Sequence, residues 1–379
     1  MNAVLICLCT LIEYVKPRHF PSTTIESQDG SIQFVKASFE LFQALLSPHD
    51  TMEKASLLER LRTKYYQFLT TAHRCTPLIS ETPENQQQHD AENFLSFWLS
   101  QHHEVGRGKY IVPSSEYPAD KNRLSGLLQV YQDRLERCQS ADPVVYADVL
   151  NTIGDIKWRM VQLENWSIIT DLFTSYAAYG SHCVECGHMF CSHQEIRILS
   201  LHISESLPYQ DLQQCLESNF GVEYLGKENE MYCDFCCHVS GRLRQALLHR
   251  TSKVIVIQLQ RFNQAKWLWF TYSKRVDARV SFPFLEEDYL DLNAALFVRK
   301  SDHSRFYQLL AVCAHFGAST ASGHYVSYIR SSSERDSTIT WLRYDDESIS
   351  GLSDSEFKEE TESTAYLLFY MRLHDKFNV

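Results

Sequence analysis

Two pairs of cysteines constrain the fold of this sequence more than any other feature. Cys183 and Cys186 form the first pair, Cys233 and Cys236 form the second, and each has the spacing C-x-x-C. Each pair can present two thiolates to one ion, and two pairs complete the tetrahedral four-cysteine site that is typical of structural zinc. The segment between the pairs is longer than in ordinary zinc ribbons, so we expect the metal to close a long β-rich excursion that has little core of its own.

The alternative interpretation is that these cysteines are buried or redox-active. The chain has 12 cysteines but is too long for a small disulfide scaffold, which favours metal binding in a reducing compartment. Four thiolates would leave no open position for chemistry, so the role would be structural. Nearby residues leave the ligand set open: Cys191, Cys237, His188 and His238.

The composition is that of a globular protein, with 44% hydrophobic and 22% charged residues. The net charge of -11 argues against nucleic acid as the main partner and suits a basic one. The apolar run from Ala3 to Ile12 is similar to the core of a signal peptide, but it has no basic segment ahead of it and no clear cleavage site after it. We therefore predict an intracellular protein, nuclear or cytoplasmic, with no direct contact to nucleic acid or membrane.

Hydrophobic periodicity predicts an α+β fold in three consecutive parts. Residues 1–165 have a helical pattern, residues 166–250 contain short β-rich segments and the cysteine pairs, and residues 251–379 alternate like an antiparallel sheet. The predicted helices are Ile32–Leu46, Met52–Leu69, Glu84–Leu99, Leu124–Cys138, Pro143–Leu163 and Tyr209–Phe220. The predicted strands are Ile196–Ile203, Val254–Leu259, Tyr307–His315, His324–Arg330, Thr338–Tyr344 and Ala365–Leu373. The predicted irregular segments are Gly106–Asp120, Phe316–Ser322, Ser331–Asp336 and Ser353–Ser363, the last of them a solvated acidic stretch.

Near the C-terminus, a histidine begins one alternating aromatic run and an acidic pair ends the next. The first run is G-H-Y-V-S-Y from Gly323, and the second is W-L-R-Y-D-D, which ends at Asp346. Two adjacent strands would place the imidazole of His324 beside the carboxylate of Asp345, which is the base half of a nucleophilic triad. Gly323 would let an extended substrate backbone come close. The alternative is an ordinary packed or exposed histidine.

Neighbouring residues have simpler interpretations. We expect His315 to be structural or to support the adjacent loop. We interpret Asp346 as a solvated acid that could assist in the site.

Six motifs, in order, resemble those of the ubiquitin-specific proteases, a family of cysteine deubiquitinases. They are Q-H-D-A-E-N-F-L at Gln88–Leu95, the two C-x-x-C pairs, V-I-Q-L-Q-R-F at Val256–Phe262, V-S-F-P at Val280–Pro283, the histidine run within Tyr307–Tyr328, and Tyr344-Asp345. The resemblance covers nearly the whole chain. It implies a papain-like cysteine peptidase fold with a helical thumb (residues 1–165), zinc-bearing fingers (166–250) and a palm sheet (251–379).

The resemblance also implies an activity, a partner and a cofactor. The reaction would be hydrolysis of the isopeptide bond after the C-terminal glycine of ubiquitin on protein conjugates. His324 would be the general base and Asp345 its orienting partner, and the four paired cysteines would hold structural zinc. Ubiquitin and ubiquitinated proteins would be the partners.

Four residues are expected to contact the substrate: Asp90, Asn93, Gly323 and Tyr325. Acidic groups of the Q-H-D-A box would meet arginines of the ubiquitin tail. Asn93 stands where the family has Glu, and Glu92 would point about 100° away on a helix, which makes it a poor substitute. Asp90 is then the main anchor, and weaker ubiquitin affinity is expected.

The family box that carries the nucleophile, G-N-T-C-Y-M-N-A-x-L-Q-x-L, matches this sequence only from Met1 onward. The nucleophilic cysteine and the preceding Asn would lie just before Met1, so we predict that residues 1–379 alone bind ubiquitin weakly and cleave nothing. Cys7 and Cys9 lie in an apolar run, which favours neutral, packed thiols. Two alternatives remain open: a ubiquitin-binding pseudoenzyme or scaffold, and a zinc-stabilised interaction module unrelated to ubiquitin.

Overall fold

The structure is a computed structural model. It describes residues 2–9, 11, 30–46, 51–72, 90–107, 117–138, 143–267, 270–299, 303–319, 322–331, 340–346 and 348–373.

Nine α-helices lie within the described residues: α1 (Asn2–Cys9), α2 (Gly30–Leu46), α3 (Thr51–Ala72), α4 (Ala91–Gly106), α5 (Tyr117–Cys138), α6 (Pro143–Asn165), α7 (Ile168–Phe173), α8 (Leu212–Asn219) and α9 (Asp354–Thr361). None of these helices is long and apolar enough to cross a membrane.

The described strands number eighteen. They are β1 (Ser175–Cys183), β2 (Met189–Ile196), β3 (Ile198–His202), β4 (Tyr209–Asp211), β5 (Glu223–Leu225), β6 (Met231–Cys233), β7 (His238–Ser240), β8 (Arg242–Arg250), β9 (Val254–Gln260), β10 (Phe262–Trp267), β11 (Phe270–Arg275), β12 (Arg279–Ser281), β13 (Leu290–Asp291), β14 (Phe306–Ser319), β15 (Ser322–Arg330), β16 (Trp341–Asp345), β17 (Ser348–Leu352) and β18 (Ala365–Arg372).

The helices predicted from periodicity match α2, α3 and α6 closely, and the helix predicted at Leu124–Cys138 ends where α5 ends but starts seven residues late. The helix predicted from Glu84 begins at Ala91, after the cap residue Asp90, and residues 84–89 lie outside the described residues. The predicted irregular segment Gly106–Asp120 was too long, because α5 already begins at Tyr117. The predicted helix at Tyr209 begins at Leu212, where Asp211 caps it after a short strand.

Two other predicted irregular segments were wrong. The segment Ser353–Ser363 contains helix α9, which begins with a capping box between Ser353 and Glu356. The acidic residues concealed the buried Phe357, whose ring stacks on Trp341 with centroids 3.8 Å apart. The segment 316–322 is mostly extended, since β14 continues to Ser319 and β15 starts at Ser322. The predicted connection at 331–336 lies largely outside the described residues.

The chain divides into two compact units, and each collects non-contiguous segments. The first contains residues 1–107, 261–276 and 310–368; the second contains residues 108–260, 277–309 and 369–379. The three consecutive parts expected from the sequence remain a prediction.

The first unit contains the strands that carry the histidine run. Its strand order is β17-β16-β15-β14-β18, and β14, β15, β16 and β17 pair antiparallel in sequence. Helix α1 packs against β15, and α2 packs against α3 and α4. Aromatic side chains fill the helical core, where Tyr65 meets Phe94 edge-on at 5.2 Å and Phe34 meets Phe97 at 5.0 Å.

The second unit contains both cysteine pairs. Its main sheet has the order β2-β1-β8-β5, and the short hairpin β6–β7 carries the second pair. The helices α5 and α6 pack together, and Trp158 of α6 lies against Tyr176 of β1. The strands β9 and β3 pair in parallel.

Candidate active site and metal centre

Neighbouring strands bring His324 and Asp345 together. Strand β15 pairs with β16 so that Tyr328 lies opposite Arg343. Because side chains alternate along a strand, His324 and Asp345 then share one face of the sheet. The His324 Nε2 atom lies 2.5 Å from Asp345 Oδ1, and the two side chains are 43% and 28% exposed. The contact expected between these two residues is therefore present in the structure.

The contact selects which nitrogen of His324 can act as a base. Asp345 is a carboxylate and can only accept, so Nε2 carries the proton that it donates to Oδ1. The other nitrogen, Nδ1, has no hydrogen-bond partner among the residues that the structure describes. A neutral imidazole held in this way presents an unprotonated Nδ1, which is the form that a general base requires.

The second oxygen of Asp345 is bound by an arginine that the sequence analysis missed. Arg343 Nη2 donates to Asp345 Oδ2 over 2.6 Å. The hydrogen bond from His324 and the charge of Arg343 together hold the pKa of Asp345 below its usual range. Arg343 lies two residues before Asp345 on an alternating strand, so strand periodicity alone would have put both side chains on one face.

Asp90 caps helix α4 and is bound by a tyrosine. Its Oδ1 accepts from the backbone N–H of Glu92 over 2.7 Å, and Tyr366 donates its hydroxyl hydrogen to the same carboxylate at 2.8–2.9 Å. Asn93 is exposed on the first turn. Asp90, the residue expected to anchor a basic tail, therefore stabilises the start of α4.

Tyr325 joins the same helix to the sheet. Its hydroxyl oxygen accepts from the backbone N–H of Ala91 over 3.3 Å. Its ring packs on His315, with centroids 4.6 Å apart, and on Tyr366 at 6.2 Å. Tyr325 therefore has a positioning role within the first unit, beside its expected role toward substrate.

The backbone conformation and the close neighbours of position 323 require a glycine there. Its φ of 149° disfavours any residue with a side chain, and a Cβ atom there would lie 2.6 Å from His315 Nε2 and 2.5 Å from the Phe316 carbonyl oxygen. His315 is fully buried, and burial together with the charge of Arg275 lowers its pKa to about 4. The structural role expected for His315 is thus to pack a neutral imidazole against the residue that precedes His324.

The four paired cysteines converge. One Sγ atom from each of Cys183, Cys186, Cys233 and Cys236 lies within 4.8 Å of the others. The Cys183–Cys236 and Cys186–Cys233 distances are 3.9 and 3.7 Å. Sulfurs about 2.3 Å from a tetrahedrally bound zinc ion are themselves about 3.8 Å apart, so the cluster has the dimensions that this ion needs.

The two cysteine loops share one local geometry. The N–H after each second cysteine bonds the carbonyl oxygen of the first, from Gly187 to Cys183 over 3.0 Å and from Cys237 to Cys233 over 2.8 Å. Both Gly187 and Cys237 have positive φ, at 72° and 58°. A hydrogen bond with Ser240 lowers the pKa of the Cys183 thiol.

Two cysteines of the first unit, Cys7 and Cys313, lie in its core. Cys7 is buried within α1, and Cys313 is fully buried in β14, where burial raises the pKa of its thiol to about 12. The Cys9 side chain lies outside the described residues. Asp346 is exposed, and its carboxylate lies within 4.8 Å of the ligand atoms of His324 and Asp345.

Comparison with known proteins places the chain in a family. Residues 1–370 match the model of the family described as ubiquitin carboxyl-terminal hydrolase. A relative from Drosophila melanogaster, ubiquitin carboxyl-terminal hydrolase Usp2, is 24% identical over 377 residues, which cover 98% of this chain and 34% of the relative. A relative from Arabidopsis thaliana, ubiquitin carboxyl-terminal hydrolase 9, is 30% identical over 166 residues, or 44% of this chain and 16% of the relative. The chain thus spans only about a third or less of these two relatives.

A solved structure shares the fold. The SAGA Ubp8/Sgf11/Sus1/Sgf73 DUB module bound to ubiquitin aldehyde contains a chain that superposes with a TM-score of 0.63 at 19% identity. The match covers 98% of this chain and 66% of that chain. It confirms the α+β, papain-like fold of the ubiquitin-specific protease type that the motifs implied.

Proposed function

Because the chain belongs to the ubiquitin carboxyl-terminal hydrolase family, we propose that it is the peptidase part of a thiol-dependent deubiquitinase. The reaction is hydrolysis of the isopeptide bond after the C-terminal glycine of ubiquitin on protein conjugates. One observation carries the proposal: the 2.5 Å contact between His324 Nε2 and Asp345 Oδ1, which leaves Nδ1 as the base.

Each of these two residues has one role in the proposed reaction. His324 takes the proton of the attacking thiol at Nδ1, and the thiolate adds to the carbonyl carbon of the ubiquitin C-terminal glycine. The resulting imidazolium returns the proton to the lysine amine as the amine leaves. Asp345 keeps Nε2 protonated and stabilises the imidazolium. In the second half, His324 activates a water molecule that hydrolyses the thioester and frees the thiol.

The attacking thiol is the part that the described residues do not supply. Cys7 and Cys313 are both buried, which favours neutral, packed thiols. We propose that a polypeptide of residues 1–379 binds ubiquitin without cleaving it. The alternative, a pseudoenzyme that acts as a ubiquitin-binding scaffold, shares this binding and differs only in chemistry.

Substrate binding is proposed for Asp90, Asn93, Gly323 and Tyr325. Exposed Asn93 lies on the first turn of α4, beside the capping carboxylate of Asp90. Gly323 is exposed next to His324, where a backbone without a side chain admits an extended tail. Two of these residues, Asp90 and Tyr325, also stabilise the start of α4, so their loss should affect folding and binding together.

Zinc is proposed as the resident ion of the four-cysteine cluster. The spacing of the four sulfur atoms supports a divalent ion bound by thiolates. When bound, zinc supplies a cross-link between the two cysteine loops, with no open coordination position for catalysis.

We also propose an intracellular location, in the nucleus or cytoplasm. The two C-x-x-C pairs, interpreted as a zinc site, suit a reducing compartment. Fractionation of cells that express the tagged chain tests this location, and recovery from the secreted fraction would contradict it.

The function is tested with purified residues 1–379 and two ubiquitin reagents. Immobilised ubiquitin should retain the chain weakly, and Asp90→Asn should weaken retention further while the exposed control Ser350→Ala should not. A fluorogenic C-terminal ubiquitin substrate should show no turnover. Retention indistinguishable from a blank surface would favour the unrelated zinc module, and turnover that depends on Cys7 or Cys9 would contradict the assignment of the thiol.

A further inference from the structure

Helix α9 delivers a carboxylate to the sheet that carries the His324–Asp345 pair. The capping box of Ser353 and Glu356 fixes its start. Thr340 and Trp341 donate to Asp354 Oδ1 over 2.8 and 3.2 Å, and Trp341 stacks on Phe357. These contacts hold the helix in one rotation about its axis.

Glu360 lies one turn beyond Phe357 and meets two residues of the sheet. Its Oε2 atom accepts from the Tyr328 hydroxyl over 2.7 Å and lies 3.3 Å from Arg343 Nε. The Glu360 and Arg343 side chains are 37% and 27% exposed, so water screens this pair only in part. Arg343 therefore forms an ion pair with Glu360 of α9.

The same guanidinium binds Asp345 through Nη2 at 2.6 Å. Asp345 thus gives one oxygen to Arg343 and the other to His324. A carboxylate bound at both oxygens cannot rotate without breaking one of two charge-assisted hydrogen bonds.

We propose that Arg343 is a positioning residue for the base, and that Glu360 of α9 holds Arg343 in the position that does this. The inference rests on the proposed function and adds to it two residues to which that function assigns no contact with substrate. Arg343 acts through Asp345: it fixes the carboxylate, and the carboxylate fixes His324 with Nε2 protonated and Nδ1 open. Glu360 acts through Arg343.

The consequence is specific to the tautomer of His324. Without Arg343, Asp345 loses its second tether and can turn away from Nε2. The imidazole is then free to place its proton on either nitrogen, as it does in water. A residue that served only to stabilise the sheet would change the unfolding temperature and leave the tautomer unchanged.

The test reads the tautomer directly. Residues 1–379, labelled with ¹⁵N at histidine, are examined by NMR at a pH where His324 is neutral, and its signals are assigned by their loss in His324→Asn. We expect a single Nε2-protonated tautomer in the parent chain. Arg343→Met should shift the His324 nitrogens toward the two-tautomer mixture, and Arg343→Lys, whose ammonium is a point charge without the guanidinium fork, should restore only part of the parent signal.

Three further variants make the test decisive. Arg330→Met removes another arginine of the sheet, one that lies over Trp341 at 4.9 Å, and should leave the tautomer unchanged. Glu360→Ala should shift the tautomer in the same direction as Arg343→Met but less. Arg343→Met combined with Glu360→Ala should shift it no further than Arg343→Met alone, because Glu360 acts through Arg343.

A folded Arg343→Met chain that keeps the single parent tautomer would overturn the proposal. If Arg343→Met does not fold, the His324 tautomer is measured in Arg343→Lys and Glu360→Ala instead. A single parent-like tautomer in both variants would overturn the proposal. The measurement needs neither ubiquitin nor turnover. Failure of the proposed function would therefore appear in the binding and cleavage assays, whereas failure of this inference would appear in the histidine spectrum alone.

Discussion

At the residue scale, each member of the candidate site is held by a contact that can be named. Asp345 orients His324, Arg343 tethers Asp345, and Tyr325 connects the histidine strand to the first N–H of α4. The residue before the histidine has its own constraint. Gly323 combines a φ of 149° with close contact to His315, so the conformation of the chain entering His324 depends on the absence of a side chain.

Replacing Gly323 by Ala should therefore destabilise the protein and displace His324. We expect a loss of about 1–3 kcal/mol in the free energy of unfolding, from the positive φ and from the contact with His315. Urea denaturation measures the loss, and the NMR signals of His324 report its displacement.

Gly126 is the matched control for this substitution. It lies within α5, and a Cβ atom there would meet nothing within 4 Å. Gly126→Ala should raise the free energy of unfolding by about 0.5–1 kcal/mol, because Ala favours a helix interior over Gly. Equal effects at the two positions would contradict the account of Gly323.

Buried histidines make the stability of the chain depend on pH. Burial lowers the pKa of His315 to about 4 and that of His102 to about 3. Both stay neutral in the folded chain, while the unfolded chain takes up protons below about pH 6.5. Stability should thus fall as pH decreases from about 6.5 toward 4, by about 1.4 kcal/mol per pH unit for each such histidine.

Substitution of one of these histidines separates its contribution. His315→Gln should flatten the dependence of the free energy of unfolding on pH between about 4 and 6.5. His202, which is exposed, is the control, and His202→Gln should leave the dependence unchanged. A parent-like slope in His315→Gln would show that His315 is charged in the folded chain.

Some contacts between individual residues can be predicted from strand periodicity and motif spacing, and others cannot. Alternation along two strands suffices to bring His324 to Asp345, and the C-x-x-C spacing suffices to pair the four cysteines. The dual attachment of Asp90 to Glu92 and Tyr366 could not be foreseen, because Tyr366 lies 276 positions away in the chain. Contacts at that separation are set by the packing of whole elements.

At the element scale, the helices with clear periodicity were predicted well and the segments with mixed signals were not. Helix α9 was missed because its sequence D-S-E-F-K-E-E-T buries only Phe357 and Thr361. Its stability comes from the capping box and from the stacking of Phe357 on Trp341, and the second of these is a tertiary contact. The extension of β14 to Ser319 was likewise not predicted, because the small residues at its end are typical of a loop.

The two cysteine loops are the element for which a metal matters most. Hairpin β6–β7 spans only Met231 to Ser240, and most of its residues are exposed. It has little core of its own, so the ion bound by the four cysteines should hold it to β1 and β8. Removal of the ion should loosen this region first.

Chelation should therefore increase amide hydrogen exchange in residues 231–240 while the strands β14 to β16 keep their protection. Metal analysis of the purified chain should find about one zinc ion per molecule, and Cys233→Ser should abolish it. Cys191→Ser, which removes a cysteine outside the cluster, should retain the ion. Retention of zinc by Cys233→Ser would contradict the assigned ligands.

At the scale of the whole molecule, family membership and the geometry of one site support a single function. The family match extends over residues 1–370 and the fold match over 98% of the chain. The net charge of -11 suits a basic partner, and an acidic cap at α4 lies in the same unit as the histidine. The proposed base and its orienting partner lie in contact, and the proposed reaction requires in addition only a thiol beside Nδ1.

Helix α1 is the element from which the family box would present that thiol. It packs against β15, the strand that carries His324. In the alignment of the box with this sequence, Met1 follows the dipeptide Cys-Tyr. A cysteine added at that position should lie at the start of a helix, where a thiolate is favoured.

The most direct test of the account is turnover of a fluorogenic C-terminal ubiquitin substrate by the chain extended with Gly-Asn-Thr-Cys-Tyr ahead of Met1. We expect turnover by the extended chain, and none after His324→Asn or when the added Cys is replaced by Ala. Residues 1–379 without the extension should be inactive in the same assay. A folded, extended chain without turnover, or turnover that survives His324→Asn, would contradict the assignment of His324 as the base of a deubiquitinase.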